Sequence, residues 1–347
     1  MTDSRRKDAP VSAGCGATLG VFSSVAAVAD GYGLCTGPRR RGHDTAIALD
    51  LNPGCGSTVD LPPPTGARMT TLDVPRYLQR LQLDAPPPLT LAGLTLLQQR
   101  HNALLPFETL SCLLRDAVPI DLDSVQRKLL DERRGGYCFE LNGGLLALLQ
   151  ALGFDARPLS ARVLLAAKDG ELTARTHLLL RVQVEGDDWL VDAGFGSLTP
   201  TIPLRLHDAQ PQATPHERYL LQRLPNDGDF VLSAESNEGW RAMYRFDLQA
   251  PAPIDNVVGN WYVCTHPDSS FPGQLRASLT GPDWRRTIGS GNYTEYRPGQ
   301  APDKRPLHDV GDVREVLQQR FGMQLPDDPR LDPAINDWLQ RSRAATL

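Results

Sequence analysis

The chain of 347 residues lacks the cysteine spacings that hold metals or build disulfide frameworks. Its six cysteines, at 15, 35, 55, 112, 138 and 264, form no CxxC pair and no ligand-like cluster. This argues against a structural metal site and suits a reducing cytoplasm, where a reactive thiol stays free. The chain also lacks any run near the roughly 18 consecutive apolar residues of a membrane span. It lacks an excess of one charge: the net charge is −5 with both signs mixed, so nothing points to nucleic acid or to an anionic membrane surface. There is no internal repeat. Gly194-Phe195-Gly196 is a GxG without the third glycine and following helix of a dinucleotide fingerprint. What is present is ordinary: 41% hydrophobic residues and a length suited to one or two domains.

The most informative stretch is Arg133-Arg134-Gly135-Gly136-Tyr137-Cys138-Phe139-Glu140-Leu141-Asn142. Beyond it, Leu141, Leu145, Leu146, Leu148, Leu149 and Leu152 recur at helical spacing, and Gly153 follows as a stop. Cys138 therefore starts a helix. The free amides and dipole of a helix start favour negative charge, and the thiolate is the nucleophilic form of a cysteine. Two readings stand on these residues alone: a nucleophile, or a buried structural cysteine. Gly135-Gly136 favours the first, because two glycines let another group approach the sulfur.

A nucleophilic cysteine needs a base and an orienting group. Of the seven histidines, His177 opens the strand-like run Leu178–Val184. A turn at Glu185–Asp188 follows, and then Trp189–Ala193, an apolar strand interrupted by Asp192. A carboxylate there is costly unless paired. Cys138, His177 and Asp192 thus offer nucleophile, base and orienter. The alternatives are a hydrogen-bonded strand-end histidine and an aspartate capping the Gly-rich turn. A tight hairpin at Gly186-Asp187 predicts Asp192 opposite Arg181, about 13 Å along the strand from His177. A bulge, a wider turn or another register is needed to join them.

These residues resemble the arylamine N-acetyltransferases. The similarity lies in Arg134–Asn142, in Thr176-His177-Leu178 and in Val191-Asp192-Ala193-Gly194-Phe195-Gly196. It continues in Pro106-Phe107-Glu108 and in Asn260–Pro267. It runs from about Met69 to the C-terminus. Ala193, Ser197 and Cys264 depart from the family's usual valine, glycine and serine. The resemblance implies a Cys138–His177–Asp192 triad. It implies an acceptor site lined by Phe107, Val163 and Phe195, and coenzyme A contacts at Gly196, Thr265 and His266. It further implies an α+β fold of helical bundle, small β-barrel and α/β lid around a cysteine-protease-like core. The expected chemistry is double displacement: acetyl-CoA acylates the thiolate, and an arylamine, arylhydrazine or N-hydroxyarylamine nitrogen takes the acetyl group, as in xenobiotic metabolism. No metal, nucleic acid or membrane is required, and the cytoplasm is the expected compartment. The alternative function is a related Cys-His-Asp thiol enzyme, such as an amide synthase or transglutaminase-like hydrolase. A non-catalytic binding module is a third reading, and an intact triad argues against it.

The chain divides into four stretches. Residues 1–68 are rich in Gly, Ala, Ser and Pro, contain Arg39-Arg40-Arg41 and show no sustained period. They read as a non-native extension ahead of a natural start at Met69, as a disordered tail, or as an export signal with Ala27-Val28-Ala29 for cleavage. Residues 69–155 are helical, with Thr90 and Ser124 as caps of helices at 91–98 and 125–130. Residues 156–265 hold short strands at 157–165, 177–184, 189–193, 218–223, 229–234 and 240–247, which suggests a barrel or curled sheet. Residues 266–347 mix a strand at 274–280, a hairpin at Gly289–Asn292 and a helix at 312–321.

Overall fold

Polar caps fix where the helices of the first stretch begin. The structure is a computed structural model and describes residues 71–345 apart from 169 and 226. The readings of residues 1–68 and of a start at Met69 lie outside the described residues. Helix α1 (Val74–Arg80) is capped by the Asp73 carboxylate, which accepts from the Arg76 amide at 3.1 Å. In α2 (Leu91–Leu104) the Thr90 hydroxyl accepts from the Gly93 amide at 3.2 Å, as the sequence predicts. Strand β1 (Phe107–Glu108) and the short α3 (Leu110–Leu113) follow. Helix α4 (Leu122–Gln126) starts at Asp121, not at Ser124. The Asp121 carboxylate takes the Ser124 amide at 3.0 Å, so Ser124 lies inside the first turn. A π turn, Arg127–Asp131, continues it.

Helix α5 (Cys138–Leu152) ends at Gly153, whose φ of +99° is the left-handed stop that glycine adopts without strain. Its Leu141, Leu145, Leu148 and Leu149 share one buried core with Tyr77, Leu94 and Leu97. Each leucine buried there contributes about 1.5–3 kcal/mol.

Eight antiparallel strands form the larger sheet. They are β2 (Asp155–Val163), β3 (Arg175–Val184), β4 (Asp187–Val191), β5 (Leu204–Arg205), β6 (Gln212–Ala213), β7 (Arg218–Arg223), β8 (Phe230–Ser236) and β9 (Gly239–Phe246), in the order β5-β4-β3-β2-β9-β8-β7-β6. The sheet curls until its edges nearly meet. There the Gln212 side chain accepts from the Arg205 amide at 2.7 Å and donates to the Arg205 carbonyl at 2.9 Å. It thus imitates the ladder that would close a barrel. Strand β3 is the wall between two cores. Leu180 and Val182 join the helical core, whereas Leu179 joins Leu159, Leu190, Leu232 and Phe246 inside the curl.

The 156–265 stretch closes with a helix, α6 (Pro253–Thr265), which the sequence does not predict. Beyond it, β10 (Ala277–Thr280), β11 (Arg285–Gly289), β12 (Asn292–Tyr296) and β13 (Asp303–Pro306) make a second antiparallel sheet. Its first strand is β1: Phe107 lies opposite Ser278. The 289–292 hairpin forms with Gly289 opposite Asn292. Helix α7 (Val310–Gln319) is capped by Asp309, and α8 (Leu331–Ala344) packs Trp338 beside Phe321 in the core of this part. Among the described residues no helix is long and apolar enough to cross a membrane.

Candidate active site

Cys138 is the first residue of α5, and a buried ionic brace holds the loop before it. The Glu140 carboxylate accepts from the Tyr137 amide at 3.0 Å and from Lys128 Nζ at 2.5 Å. Burial holds that carboxyl above its ordinary range, with Lys128 opposing. Glu108 accepts from the Leu110 amide at 2.5 Å and from Arg134 Nη2 at 2.8 Å, and Lys128 Nζ stands 3.4 Å away. Burial pushes the Glu108 carboxyl up, but the charges of Arg134 and Lys128 outweigh it and hold it at about 2. Arg134 therefore braces the loop, whereas Arg133 is exposed. The glycine pair serves the loop and not the sulfur. A Cβ on Gly135 would meet the Pro106 carbonyl oxygen at 1.8 Å, and one on Gly136 would meet the Glu140 side chain at 2.7 Å. The glycine that lets a neighbour approach Cys138 is Gly194, where a Cβ would stand 2.7 Å from the Cys138 Cα.

Register brings His177 and Asp192 together. The hairpin turns on Glu185 and Gly186, with φ of +54° and +82°, and Val184 pairs with Asp187. Two positive φ values in a two-residue loop match the twist of the flanking strands. The predicted turn at Gly186-Asp187 is one position too late, which shifts the pairing by two residues. In the observed register Leu180 faces Val191, so Asp192 follows beside Leu179, about 7 Å along β3 from His177. Strand β4 ends at Val191, and the freed carboxylate meets His177: Nε2 to Oδ2 is 2.7 Å. An ionised carboxylate only accepts, so Nε2 is the donor. Burial pushes the His177 pKa down, but the charge and hydrogen bond of Asp192, together with Cys138, raise it to about 10. Burial likewise pushes Asp192 up, and His177, Asn142 and the Gly194 amide pull it below the carboxylate range. Cys138, His177 and Asp192 are all buried, and the Cys138 thiol also reaches the Thr176 carbonyl at 3.7 Å.

Asn142 was not singled out from the sequence, although it stands one helical turn after Cys138 on the same side of α5. Its Nδ2 donates to the Leu178 carbonyl at 2.6 Å and to Asp192 Oδ1 at 2.9 Å, and its Oδ1 accepts from the Ala193 amide at 2.8 Å. One amide thus ties the ends of β3 and β4 to α5. Gln98 Nε2 adds bonds to the Asp192 and Pro200 carbonyls at 3.3 and 2.8 Å. Phe195 and Tyr244 pack their rings 5.0 Å from that of His177.

A cleft of about 1090 Å³ opens on this centre. Phe107, Val163, Phe195 and Gly196 line it with Cys138 and His177. Thr265 and His266 do not; their neighbours Tyr262, Val263 and Asp268 do. His266 instead stacks on Tyr262 at 4.6 Å. Phe271, not singled out in the sequence, also lines the cleft, edge-on to Phe107 at 6.4 Å.

A family profile described as N-acetyltransferase matches residues 90–330. The arylamine N-acetyltransferase of Escherichia coli (strain K12) is 37% identical over 252 residues, covering 72% of this chain and 89% of its own. An arylamine N-acetyltransferase / N-hydroxyarylamine O-acetyltransferase of Salmonella typhimurium is 39% identical over 240 residues, covering 69% and 84%. Among solved structures, the arylamine N-acetyltransferase of M. smegmatis superposes with a TM-score of 0.73 at 35% identity, over 78% of this chain and 99% of that one. That of Mycobacterium marinum in complex with CoA gives 0.72 at 35% identity, over 76% and 99%.

Proposed function

The chain belongs to the arylamine N-acetyltransferase family, and we propose how its residues carry out the acetyl transfer from acetyl-CoA to arylamines that this membership brings. The observation that carries the reading is the single line of contacts from Asp192 through His177 to Cys138 at a helix start facing the cleft. His177 takes the thiol proton, and the Cys138 sulfur attacks the thioester carbonyl of acetyl-CoA. First-turn amides of α5 stabilise the tetrahedral oxyanion. The carbon–sulfur bond to coenzyme A breaks, the imidazolium protonates the departing thiolate, and acetyl-Cys138 remains. The acceptor nitrogen then attacks the acetyl carbonyl and gives its proton to His177; the carbon–sulfur bond to Cys138 breaks, and the thiolate leaves beside the imidazolium, which can return the proton to it. Asp192 fixes the donor tautomer at Nε2, which leaves Nδ1 for the sulfur, and stabilises the imidazolium.

The acceptor ring packs against Phe107, Val163 and Phe195, and arylhydrazines and N-hydroxyarylamines share the site. Coenzyme A passes Gly196 along the cleft. The core is of the cysteine-protease type, and the three stretches 69–155, 156–265 and 266–347 act as bundle, barrel and lid. The enzyme works in the cytoplasm, where it meets acetyl-CoA, and needs no metal. Steady-state kinetics test this. Double displacement gives parallel double-reciprocal lines when acetyl-CoA and an arylamine are varied together. Intersecting lines would contradict it. Release of coenzyme A at one rate with and without acceptor would mark a hydrolase.

A further inference from the structure

The two arginines that are almost wholly buried each have a carboxylate: Arg134 has Glu108, and Arg285 has Glu217 at 2.5 Å on both nitrogens. Arg276 is half-buried and lines the cleft, yet its guanidinium has no carboxylate partner among the described residues. Its backbone is pinned. The amide donates to Thr109 Oγ1 at 2.9 Å and the carbonyl accepts from the Thr109 amide at 3.1 Å. Its guanidinium lies 5.0 Å over the ring of Phe271, which stands 5.9 Å from the ring of Tyr137 and edge-on to Phe107. The cation is thus held beside the aromatic walls next to Cys138.

Two residues on, and so on the same face of the extended chain, is Ser278. It also lines the cleft and is 5% exposed, and its hydroxyl has no hydrogen-bond partner among the described residues. A buried hydroxyl without a partner costs free energy that a bound acceptor would recover. Burial disfavours the Arg276 charge, and the face of the Phe271 ring supports it. The acidic residues of the cleft wall, Glu171 and Asp268, are exposed.

We propose that Arg276 and Ser278 together seat an anionic oxygen group, a carboxylate or a phosphate, of a molecule bound in the cleft. The planar fork of arginine suits two oxygens of either group, and the serine hydroxyl supplies a further donor. The seat rests on the acetyl-transfer reading, and it makes Arg276 a specificity residue. If the acceptor carries the group, it is a ring carboxylate; if the donor carries it, it is a phosphate of coenzyme A.

The test compares the full-length protein with Arg276→Met, Arg276→Lys and Ser278→Ala. Each is assayed with p-aminobenzoate and with neutral p-aminobenzamide, and with acetyl-CoA against S-acetylpantetheine, which has no coenzyme A phosphates. Melting temperatures confirm that the variants fold. A carboxylate seat predicts that Arg276→Met loses about ten- to a hundredfold in kcat/KM for p-aminobenzoate and little for the benzamide. A phosphate seat predicts the same loss for acetyl-CoA and little for S-acetylpantetheine. Ser278→Ala gives a smaller loss on the same substrate, and Arg276→Lys recovers part of it. Equal losses on all four substrates, or none, would overturn the seat. Failure of the unaltered protein to acetylate either amine would instead overturn the acetyl-transfer reading.

Discussion

Glu108 and Asp192 are both fully buried carboxylates, and each lies against a cation. The cations differ in kind. Glu108 faces Lys128 and Arg134, whose guanidinium keeps its charge at any ordinary pH. Asp192 faces an imidazole, whose proton can be given and retaken. The first pair holds the loop before Cys138 in place. The second sits where a proton must move. Similar burial and charge therefore serve rigidity in one place and reactivity in the other, according to whether the cation can exchange its proton.

The largest expected effect breaks the reactive side. Asp192→Asn lowers kcat by at least about a hundredfold and lowers the urea midpoint at neutral pH as well, whereas Cys138→Ala abolishes acetyl transfer while leaving the fold and its urea midpoint. Glu108→Gln should invert this pattern. Leaving Arg134 buried without its carboxylate costs about 3–5 kcal/mol of stability, while the folded fraction keeps most of its turnover. Urea melts run beside single-turnover kinetics separate the two. Equal losses of rate and stability in Cys138→Ala and Glu108→Gln would remove the distinction.

Next comes Gly194→Ala, whose methyl group would press on the Cys138 backbone at 2.7 Å. A displacement of that order lowers kcat/KM by about ten- to a hundredfold, read with a small arylamine to keep acceptor fit out of the result.

The two pairs also differ in pH dependence. The His177 pKa is raised from 6.5 to about 10, so its contribution to stability is complete below about 6.5 and is lost as pH rises through about 10. The Glu108 pKa is lowered from 4.5 to about 2, so its contribution is complete above about 4.5 and is lost as pH falls through about 2. Urea midpoints from pH 3 to 10 should show an alkaline decline that Asp192→Asn flattens and Glu108→Gln leaves alone. The smallest effect lies away from both pairs. Gln212→Ala opens the seam between β5 and β6 and should cost about 1 kcal/mol, read from a thermal melt.

Local features were legible in the sequence where the physics is local. The leucine spacing and Gly153 define α5, and Cys138 stands at its start. The link from His177 to Asp192 was not, because it depends on which two residues turn the hairpin. Glu185 adopts a positive φ that glycine more commonly takes, and this moved the register by two residues. Helix α6 does carry a helical period in Ile254, Val257, Val258 and Trp261, but that stripe is exposed, and the buried side holds Gly259, Asn260, Val263 and Cys264. Helix α8 left a readable signal in Leu331, Ile335, Trp338 and Leu339, all buried at helical spacing. The partners Lys128 and Asn142 are contacts made in three dimensions: Lys128 reaches Glu140 from a π turn, and Asn142 reaches strands far along the chain.

The most direct measurement is the intact mass of the full-length protein after mixing with acetyl-CoA and no acceptor. The expected result is a gain of one acetyl group on Cys138, absent in Cys138→Ala and discharged by an added arylamine. An unchanged mass, or a gain that persists in Cys138→Ala, would contradict it.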